Sequence, residues 1–308
     1  MIKIKTTINS SLIQVFTGIP AKYFNKLTRQ LQPIWENYEK QRLSGKPRIR
    51  KIGGGTKYKL KTLEVKLFFY LLYLRHYVNQ RVIAALCQLD QSGVCRLFKR
   101  LEKVIARAAD PQLKIFLSNL NDKRIKEGLS FDELKIIYPE IEKIITDVTE
   151  VRCNRPKDKT QRKDKTSGKK KQYTLKKQVS VTKSNRIIAI SKAYPGKVHD
   201  FNIEKQEQMI SSMPRESYQP VDLGYLGINK LCPDHYVVAP PKKAKNREMS
   251  PLLKELKKAH SRKRIPVEHV FGSLKRFNIL KHYRGPDSRF DNVFDNIAAI
   301  NNLCLGLT

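Results

Sequence analysis

The spacing of the apolar residues changes along the 308-residue chain, and this change constrains the fold more than any other feature. Residues 21–40 place apolar side chains at helical intervals, and residues 63–75 are apolar nearly all round. From about residue 141 the pattern becomes that of short strands mixed with helices. We therefore predict an N-terminal helical domain followed by a mixed α/β domain, because each period specifies one kind of element.

A helix-turn-helix is predicted within the first domain. Residues 79–88 have the pattern of a first helix, and residues 92–107 have that of a second helix after the turn LDQSG. The second helix has an apolar inward side, formed by Val94, Leu97, Phe98, Leu101, Val104 and Ile105, and a basic outward side, formed by Arg96, Arg100, Lys103 and Arg107. A recognition helix in the major groove needs such a basic side, although a merely solvated helix hairpin has the same pattern. The basic, glycine-rich segment 41–61 is predicted to be a flexible loop suited to phosphates.

The second domain has the element order of a mixed sheet flanked by helices. Strands are predicted at 142–151, 173–183, 185–194, 219–225 and 235–243, and helices at 199–210, with Asp200 as N-cap, and at 262–277 as the last large helix. The insert at 155–177 carries eleven Lys or Arg and only the acids Asp158 and Asp164. We predict a mobile loop that orders on DNA, with a disordered connector as the alternative.

The charge balance points to a polyanionic partner. The chain has 62 Lys and Arg against 28 Asp and Glu, a formal net charge of +34. Such a field favours nucleic acid, and the length suffices for two domain cores. The sequence has neither the apolar core of a signal peptide nor eighteen consecutive uncharged apolar residues, so we expect a cytoplasmic protein without a membrane segment. The five cysteines are scattered and predict neither a disulfide framework nor a zinc site.

Three acids stand at positions suited to a metal site in this basic chain. Asp147 and Asp222 are predicted to end apolar strands, and Glu268 lies in the first turn of an apolar-faced helix. Close carboxylates repel unless a cation intervenes, and hard oxygen ligands favour Mg²⁺, which in a two-ion site acts on phosphodiesters. Each acid also has an ordinary structural interpretation, as a strand-end cap or as an acid favoured by the helix dipole.

The surroundings of these acids add to the metal-site hypothesis. On a helix, Arg264, Gly272 and Lys275 would share one stripe with Glu268, so that two cations could hold a DNA phosphate beside it. Gly224 and Gly227 would allow a tight turn after Asp222. Three further residues have open roles. His199 is expected as a core histidine and Asp200 as an N-cap, with a direct part in catalysis as the lesser alternative for both, and Tyr225 as a packing residue or a DNA contact.

With these residues the sequence resembles the DDE transposases of bacterial insertion sequences, of the insertion-sequence-five type within the insertion-sequence-four superfamily. The resemblance covers nearly the whole chain, through the helix-turn-helix and four motifs: DVTE at 147–150, GKVHD at 196–200, D-x-G-Y-x-G-I at 222–228 and RIPVEHVFGSLK at 264–275. Arg264, Glu268 and Lys275 match the R-x₃-E-x₆-K signature, whereas Ser261 stands where the superfamily often has tyrosine.

The resemblance implies both a fold and a reaction. It implies an RNase H-like catalytic core in which Asp147, Asp222 and Glu268 bind two Mg²⁺ ions, with Mn²⁺ able to substitute. It also implies hydrolysis at the transposon ends, followed by attack of the freed 3′-hydroxyl on target DNA. The expected DNA contacts are Arg96, Arg100 and Lys103 in the first domain, with Arg264 and Lys275 in the second.

These observations predict the organisation and partners of the protein. We expect a helical DNA-binding domain at 1–110, a helical linker at 111–140 and the catalytic domain at 141–308. The expected partners are double-stranded transposon ends and target DNA, bound by a homodimer or higher oligomer at the nucleoid, because two ends must be paired. A transposase-derived DNA-binding protein without turnover is the main alternative, and a sequence-nonspecific nuclease of the same fold is another.

Overall fold

The computed structural model describes residues 10–44, 58–113, 128–243 and 248–306. The chain divides into two units, the first made of Met1–Asp110, Leu274–Lys281 and Asn292–Thr308, and the second made of Pro111–Ser273 and His282–Asp291. Most of the predicted loop at 41–61 and about half of the predicted linker at 111–140 lie outside the described residues, at 45–57 and 114–127. The predicted limits of the linker and of the two domains stay predictions.

Helices form the N-terminal part of the first unit. They are α1 (Ser10–Thr17), α2 (Ala21–Ser44), α3 (Leu63–His76), α4 (Gln80–Cys87) and α5 (Gln91–Leu113). Helix α3 contains the apolar segment predicted at 63–75, and its leucine and phenylalanine side chains are buried. Thr62 caps its start by accepting a hydrogen bond from the Val65 backbone, and Tyr77 ends it in the left-handed conformation. Among the helices of the described ranges, none combines the length and apolarity needed to cross a bilayer.

Helices α4 and α5 form the predicted helix-turn-helix. Asn79 caps α4, Gln88 ends it in the left-handed conformation, and Asp90 accepts a hydrogen bond from the Gly93 backbone nitrogen at the start of α5. A Cβ at Gly93 would lie 2.6 Å from a carboxylate oxygen of Asp90, so a larger residue here would displace the exposed Asp90 side chain. The residues predicted to face inward are all buried, namely Val94, Leu97, Phe98, Leu101, Val104 and Ile105.

A mixed sheet lies at the centre of the second unit, as predicted. Its strands are β1 (Ile144–Cys153), β2 (Thr174–Thr182), β3 (Ile187–Ile190), β4 (Tyr194–Pro195) and β7 (His282–Tyr283), in the order β3-β2-β1-β7 with β4 also paired to β2. Strands β1 and β2 are antiparallel, whereas β1 and β7 are parallel. Helix α6 (Phe131–Ile137) precedes the sheet and begins with a capping box between Ser130 and Glu133. Its Leu134 packs with Ile144 and Ile188 of the sheet.

The strand predicted at 142–151 is observed as β1 at Ile144–Cys153, but the predicted position of Asp147 at its end is wrong. Asp147 does not end it but lies near its middle, opposite Val179 of β2, and the pairing continues to Arg152 opposite Thr174. The prediction was wrong because polar side chains were taken as the end of the strand. An antiparallel neighbour satisfies the backbone of a strand whatever side chains it carries, so the ladder continues past the carboxylate.

The basic insert between β1 and β2 is folded, contrary to the predicted mobile loop. It contains helix α7 (Lys159–Lys165) and a bridge between Thr166 and Tyr173. Asp158 caps α7, and the guanidinium of Arg162 donates to the backbone oxygens of Pro156 at 2.8 Å and Lys157 at 2.6 Å. The few acids and local hydrogen bonds of the insert therefore suffice to order it, because caps and turn bonds do not require a large apolar core.

The chain between β4 and the C-terminal helices forms short helices and short strands. It contains α8 (Asp200–Glu207), α9 (Ile228–Leu231), and the parallel two-residue strands β5 (Gln219–Pro220) and β6 (Val237–Val238). The N-cap of α8 is His199, whose side chain accepts from the Phe201 backbone, and not Asp200 as predicted. Asp200 is the first helical residue, and its carboxylate bonds a lysine instead.

The predicted helix at 262–277 is in fact two helices. They are α10 (Pro251–Lys263) and α11 (Ile265–Lys275), with Arg264 between them as the C-cap of α10. Pro266 explains the break, because proline lacks a backbone donor and disfavours a continuous helix before it. A final helix, α12 (Phe290–Leu305), was not predicted, although Ile297, Ala298 and Ile300 are buried on it.

Candidate functional site

The strand register places Asp147 and Asp222 at one level. Lys143 and Tyr218 form a parallel bridge, supported by a 3.1 Å hydrogen bond from the Ile144 nitrogen to the Tyr218 oxygen. Asp147 and Asp222 each lie four residues beyond that bridge in their own segment. Neighbouring strands are about 4.8 Å apart, so equal offsets in a parallel pair bring the two carboxylates to the same level along the strands.

One guanidinium joins the two carboxylates. Arg264 donates through Nη2 to Oδ2 of Asp147 at 2.5 Å, and its Nη1 lies 3.2 Å from Oδ1 of Asp222. The side chains of Arg264 and Asp147 are only 11% and 17% exposed, whereas that of Asp222 is 42% exposed. Arg264 therefore lies at the break between α10 and α11 and bonds both aspartates. The continuous helix predicted from the sequence placed it in one stripe with Glu268 and predicted no contact with Asp147 or Asp222.

Burial dominates the electrostatics of Asp147. Burial raises the pKa of its carboxyl to about 6, even though the Arg264 guanidinium and a hydrogen bond from the Val148 nitrogen both favour the charged form. The nearby charges of Asp222 and Asp200 add to the upward shift. A carboxylate held in this way is poorly solvated and close to other acids, which is the usual condition of a cation-binding site.

A second charged cluster lies beside this pair. Nζ of Lys176 donates to Asp200 at 2.9 Å and to the Val198 oxygen at 2.8 Å, and it lies 3.7 Å from Glu150. A Cβ at Gly224 would lie 3.0 Å from a carboxylate oxygen of Asp200, so this glycine permits the close approach of the turn after Asp222. The role of Gly224 is thus to make room for a charged neighbour.

Tyr225 packs beneath the carboxylates. Its side chain is fully buried, in a cluster that includes Ile210, Val221 and Ile228, so the packing interpretation of this residue fits better than a DNA contact. Burial raises the pKa of Tyr225 well above its ordinary value, with Asp147 and Asp200 adding to the effect. The hydroxyl therefore stays protonated.

Glu268 does not join the two aspartates in a three-acid cluster within the described residues. It is exposed in the first turn of α11, and its carboxylate makes no hydrogen bond or ion pair with any residue in the described ranges. Gly272 is exposed, with open space where a Cβ would stand, and Lys275 is partly buried. Within the part of the chain that the structure describes, no three His, Cys, Asp or Glu side chains are gathered closely enough to hold a metal ion.

The donor chemistry at Asp147 and Asp222 nevertheless fits a hard divalent cation. Their oxygens already converge on one positively charged group, Arg264, and carboxylates are the ligands that Mg²⁺ and Mn²⁺ prefer. Two of the three predicted metal ligands, Asp147 and Asp222, are therefore arranged in a way that suits such a cation. Glu268, one turn beyond Arg264, is the acid that would have to join them.

The surface of α5 differs in part from the predicted basic face. Arg96 and Lys103 are exposed, and so is Lys99, which was not predicted as a DNA contact. Arg100 instead faces α2, where its Nη1 lies 3.2 Å from Glu39 and its guanidinium stacks near Trp35. Arg107 likewise contacts α2, through Gln41 and Tyr38. The exposed row of cations on α5 is therefore Arg96, Lys99 and Lys103, which are three and four residues apart, as expected for one side of a helix.

Sequence reasoning did not assign Lys176 to the site. It lies in the strand YTLKKQVSVTK, where a lysine normally indicates a solvent-facing position, yet its side chain is only 10% exposed. The available signal was its position opposite Glu150, a residue of the DVTE motif, because directly opposite residues of an antiparallel pair share one face.

Comparison with known proteins identifies the family of the chain. Residues 146–308 match the family model described as DDE superfamily endonuclease, and residues 58–111 match the helix-turn-helix of DDE superfamily endonuclease. The chain is 31% identical over 248 residues to a probable transposase for insertion sequence element IS702 from Microchaete diplosiphon, covering 80% of this chain and 82% of that protein. No solved structure matches the chain significantly.

Proposed function

This chain belongs to the DDE superfamily endonucleases, as a DNA transposase with an N-terminal helix-turn-helix, and we propose on that premise a two-step reaction. The protein cleaves at the ends of its element and then joins the freed 3′-hydroxyl to target DNA. The observation that carries this proposal is the convergence of Asp147 and Asp222, from separate segments, on one guanidinium. We also propose an RNase H-like core and membership of the insertion-sequence-five type.

Asp147, Asp222 and Glu268 are the residues that would hold divalent cations, with Mg²⁺ or Mn²⁺ as the proposed ions. When bound, such ions lower the pKa of a water nucleophile and stabilise the departing oxygen of a phosphodiester. Hydrolysis and strand transfer are both in-line phosphoryl transfers, so one set of carboxylates can serve both in turn.

The chain's own residues prepare this site. Arg264 orients the two aspartates and offsets their mutual repulsion, so we assign it as a positioning residue in this state. Lys176 holds Asp200 in the adjoining cluster, which keeps the turn at Gly224 in place. Lys275, at the end of α11, remains our candidate for a DNA phosphate contact.

The helix-turn-helix supplies recognition in this proposal. The exposed row of Arg96, Lys99 and Lys103 on α5 presents positive charge to the DNA backbone, while residues at the start of α5 reach base edges. Arg100 supports α5 through its contact with Glu39. The partner is double-stranded DNA, and pairing of two ends calls for an assembly of at least two copies.

The test is nicking of a supercoiled plasmid that carries the DNA flanking this gene, with Mg²⁺ or Mn²⁺. Glu268→Gln and Asp222→Asn should reduce nicking by more than about 100-fold, beyond the loss typical of residues that only support metal ligands. Both variants should bind the plasmid as the native protein does. Glu255→Gln, an exposed acid on α10, is the matched control and should nick normally.

Two outcomes would contradict parts of this proposal. Native nicking by Glu268→Gln would remove Glu268 from the site and leave the aspartates in it. Binding by all four proteins without nicking, even with Mn²⁺, would favour a DNA-binding protein without turnover, in which Arg264 permanently occupies the two aspartates.

A further inference from the structure

A cavity lined by basic residues lies at the end of β1, and the proposed chemistry does not use it. It has a volume of about 320 Å³ and is lined by Arg152, Arg155, Lys171 and His282, among others. No acid is among its lining residues. All of them belong to the second unit. Asp287, an acid close enough to affect the neighbouring Cys153, is paired with Lys165.

The walls of this cavity are parts of the sheet and its folded insert. Arg152 pairs with His282 of β7 in the parallel register, and the Cys153 nitrogen donates to the Tyr173 oxygen at 2.9 Å where the insert returns to β2. Lys171 is held in the turn of the insert by a 2.9 Å bond from its nitrogen to the Ser167 oxygen. The cationic side chains are thus mounted on hydrogen-bonded backbone, which positions a ligand better than a loose tail.

The cavity is electropositive, and its cations lack counter-ions among the described residues. Arg152, Arg155 and Lys171 make no ion pair with residues in the described ranges. His282 accordingly has a lowered pKa, first because of its burial and then because of the charges of Arg152 and Arg284. Its Nε2 lies 3.0 Å from the side-chain oxygen of Asn154, which fixes the ring. Two guanidinium groups around one space, without a carboxylate, match the recognition of a phosphate group.

The strand itself connects this cavity to the candidate active site. Arg152 lies five residues after Asp147 on β1, a separation of roughly 17 Å at about 3.3 Å per residue. At 3.4 Å of rise per base pair, that is about five nucleotides of duplex. Side chains five residues apart leave opposite faces of a strand, so a duplex at Asp147 would contact the cavity by passing the end of the sheet, where the cavity lies. A free phosphate ion fits the same cations, and the experiment below distinguishes the two ligands.

We propose that this cavity binds one backbone phosphate of the DNA duplex whose scissile bond lies at the carboxylates. This inference rests on the proposed function for the position of the cut, although binding itself does not require turnover. The phosphate would fix how far the strand extends past Asp147, because a contact away from the reacting bond sets register.

The experiment uses the full chain without metal and a set of duplexes from the gene's flank. Each duplex carries one neutral methylphosphonate linkage, moved in single steps along each strand. For the native protein, one linkage within about five nucleotides of the cut should weaken binding about tenfold, the loss of one charge-assisted contact. The variant with Arg152→Gln and Arg155→Gln should bind the unmodified duplex about tenfold more weakly and lose nothing further at that linkage.

The control has the same change of charge in the same insert, outside the cavity. It carries Lys169→Gln and Lys170→Gln, and it should keep the native profile of sensitive linkages. The proposal is overturned if the Arg152→Gln, Arg155→Gln variant retains the native profile. It is also overturned if calorimetric titration shows that inorganic phosphate binds the native protein and not this variant, while the two proteins have the same profile of sensitive linkages.

Failure of the proposed function gives a different result. Suppose that one neutral linkage weakens binding only when Arg152 and Arg155 are present, but that the protein never nicks the plasmid. The phosphate site would then stand and the catalytic proposal would be rejected. If the protein nicks the plasmid but no linkage shows this dependence, the catalytic proposal would stand and the phosphate site would be rejected.

Discussion

The exposed row on α5 and the carboxylate site use positive charge in opposite ways. On α5 the side chain of Arg96 is 69% exposed and lies 3.7 Å from the similarly exposed carboxylate of Asp90, and Lys99 and Lys103 have no ion-pair partner in the described ranges. At the site the side chain of Arg264 is 11% exposed and bonds two acids, and Lys176 does the same for Asp200 and Glu150. One region leaves its cations open to an outside partner, whereas the other uses its cations internally.

This difference shows why net charge alone does not locate a DNA interface. A formal charge of +34 is spread over cations that face solvent and cations that hold the fold together. Exposed cations act over long distances and release counterions on binding, so they determine affinity and its salt dependence. Buried cations act on one or two neighbours, so they determine stability and the geometry of the acids.

The largest effect should come from breaking the buried pair. Arg264→Gln leaves Asp147 without its cation and should lower the free energy of unfolding by about 3 kcal/mol, the order expected when one partner of a buried pair is removed. Adding Asp147→Asn should recover most of this loss, because no uncompensated charge then remains. Urea unfolding followed by circular dichroism measures both. If Arg264→Gln is as stable as the native protein, the pair of Arg264 and Asp147 contributes as little to stability as the exposed cations of α5 are expected to.

A smaller effect is expected on the exposed row, and on binding only. Lys99→Gln with Lys103→Gln should reduce the slope of log affinity against log salt by about 2, at about 0.9 per phosphate contact. Arg100→Gln is the matched comparison on the same helix. Because Arg100 bonds Glu39, it should leave this slope unchanged and lower the free energy of unfolding by about 1 kcal/mol. A salt slope that fell equally in both would remove the distinction between the two sides of α5.

The smallest change in a side chain, a single methyl group, should separate two glycines, one in each region. Gly224→Ala should destabilise by about 1–2 kcal/mol, because its Cβ would press on Asp200, which Lys176 holds in place. Gly93→Ala should change stability by less than about 1 kcal/mol, since Asp90 is exposed and can move, and alanine improves the helix. Thermal unfolding of the two variants measures this contrast, and a larger cost at Gly93 would contradict it.

Much of the fold followed from local patterns. The helix-turn-helix and its six inward residues are as predicted, because a helical period needs only the residues of one helix. Short strands and the mixed sheet also followed from alternation and turn residues. One prediction failed because a boundary depended on another segment: β1 continues past Asp147 because β2 pairs with it. The predicted mobile loop at 155–177 failed for a local reason, since the insert folds through its own caps.

At the candidate site the sequence determined which acids could matter, and only the tertiary structure decided what faces them. Asp147, Asp222, Arg264 and Glu268 were all recognisable by type and spacing. Their arrangement was not, because Arg264 and Asp147 are 117 residues apart, and their 2.5 Å contact depends on the helix break at Pro266 and the register of two strands. Periodicity is a property of neighbouring residues, whereas the partner of a buried charge is determined by packing between distant segments.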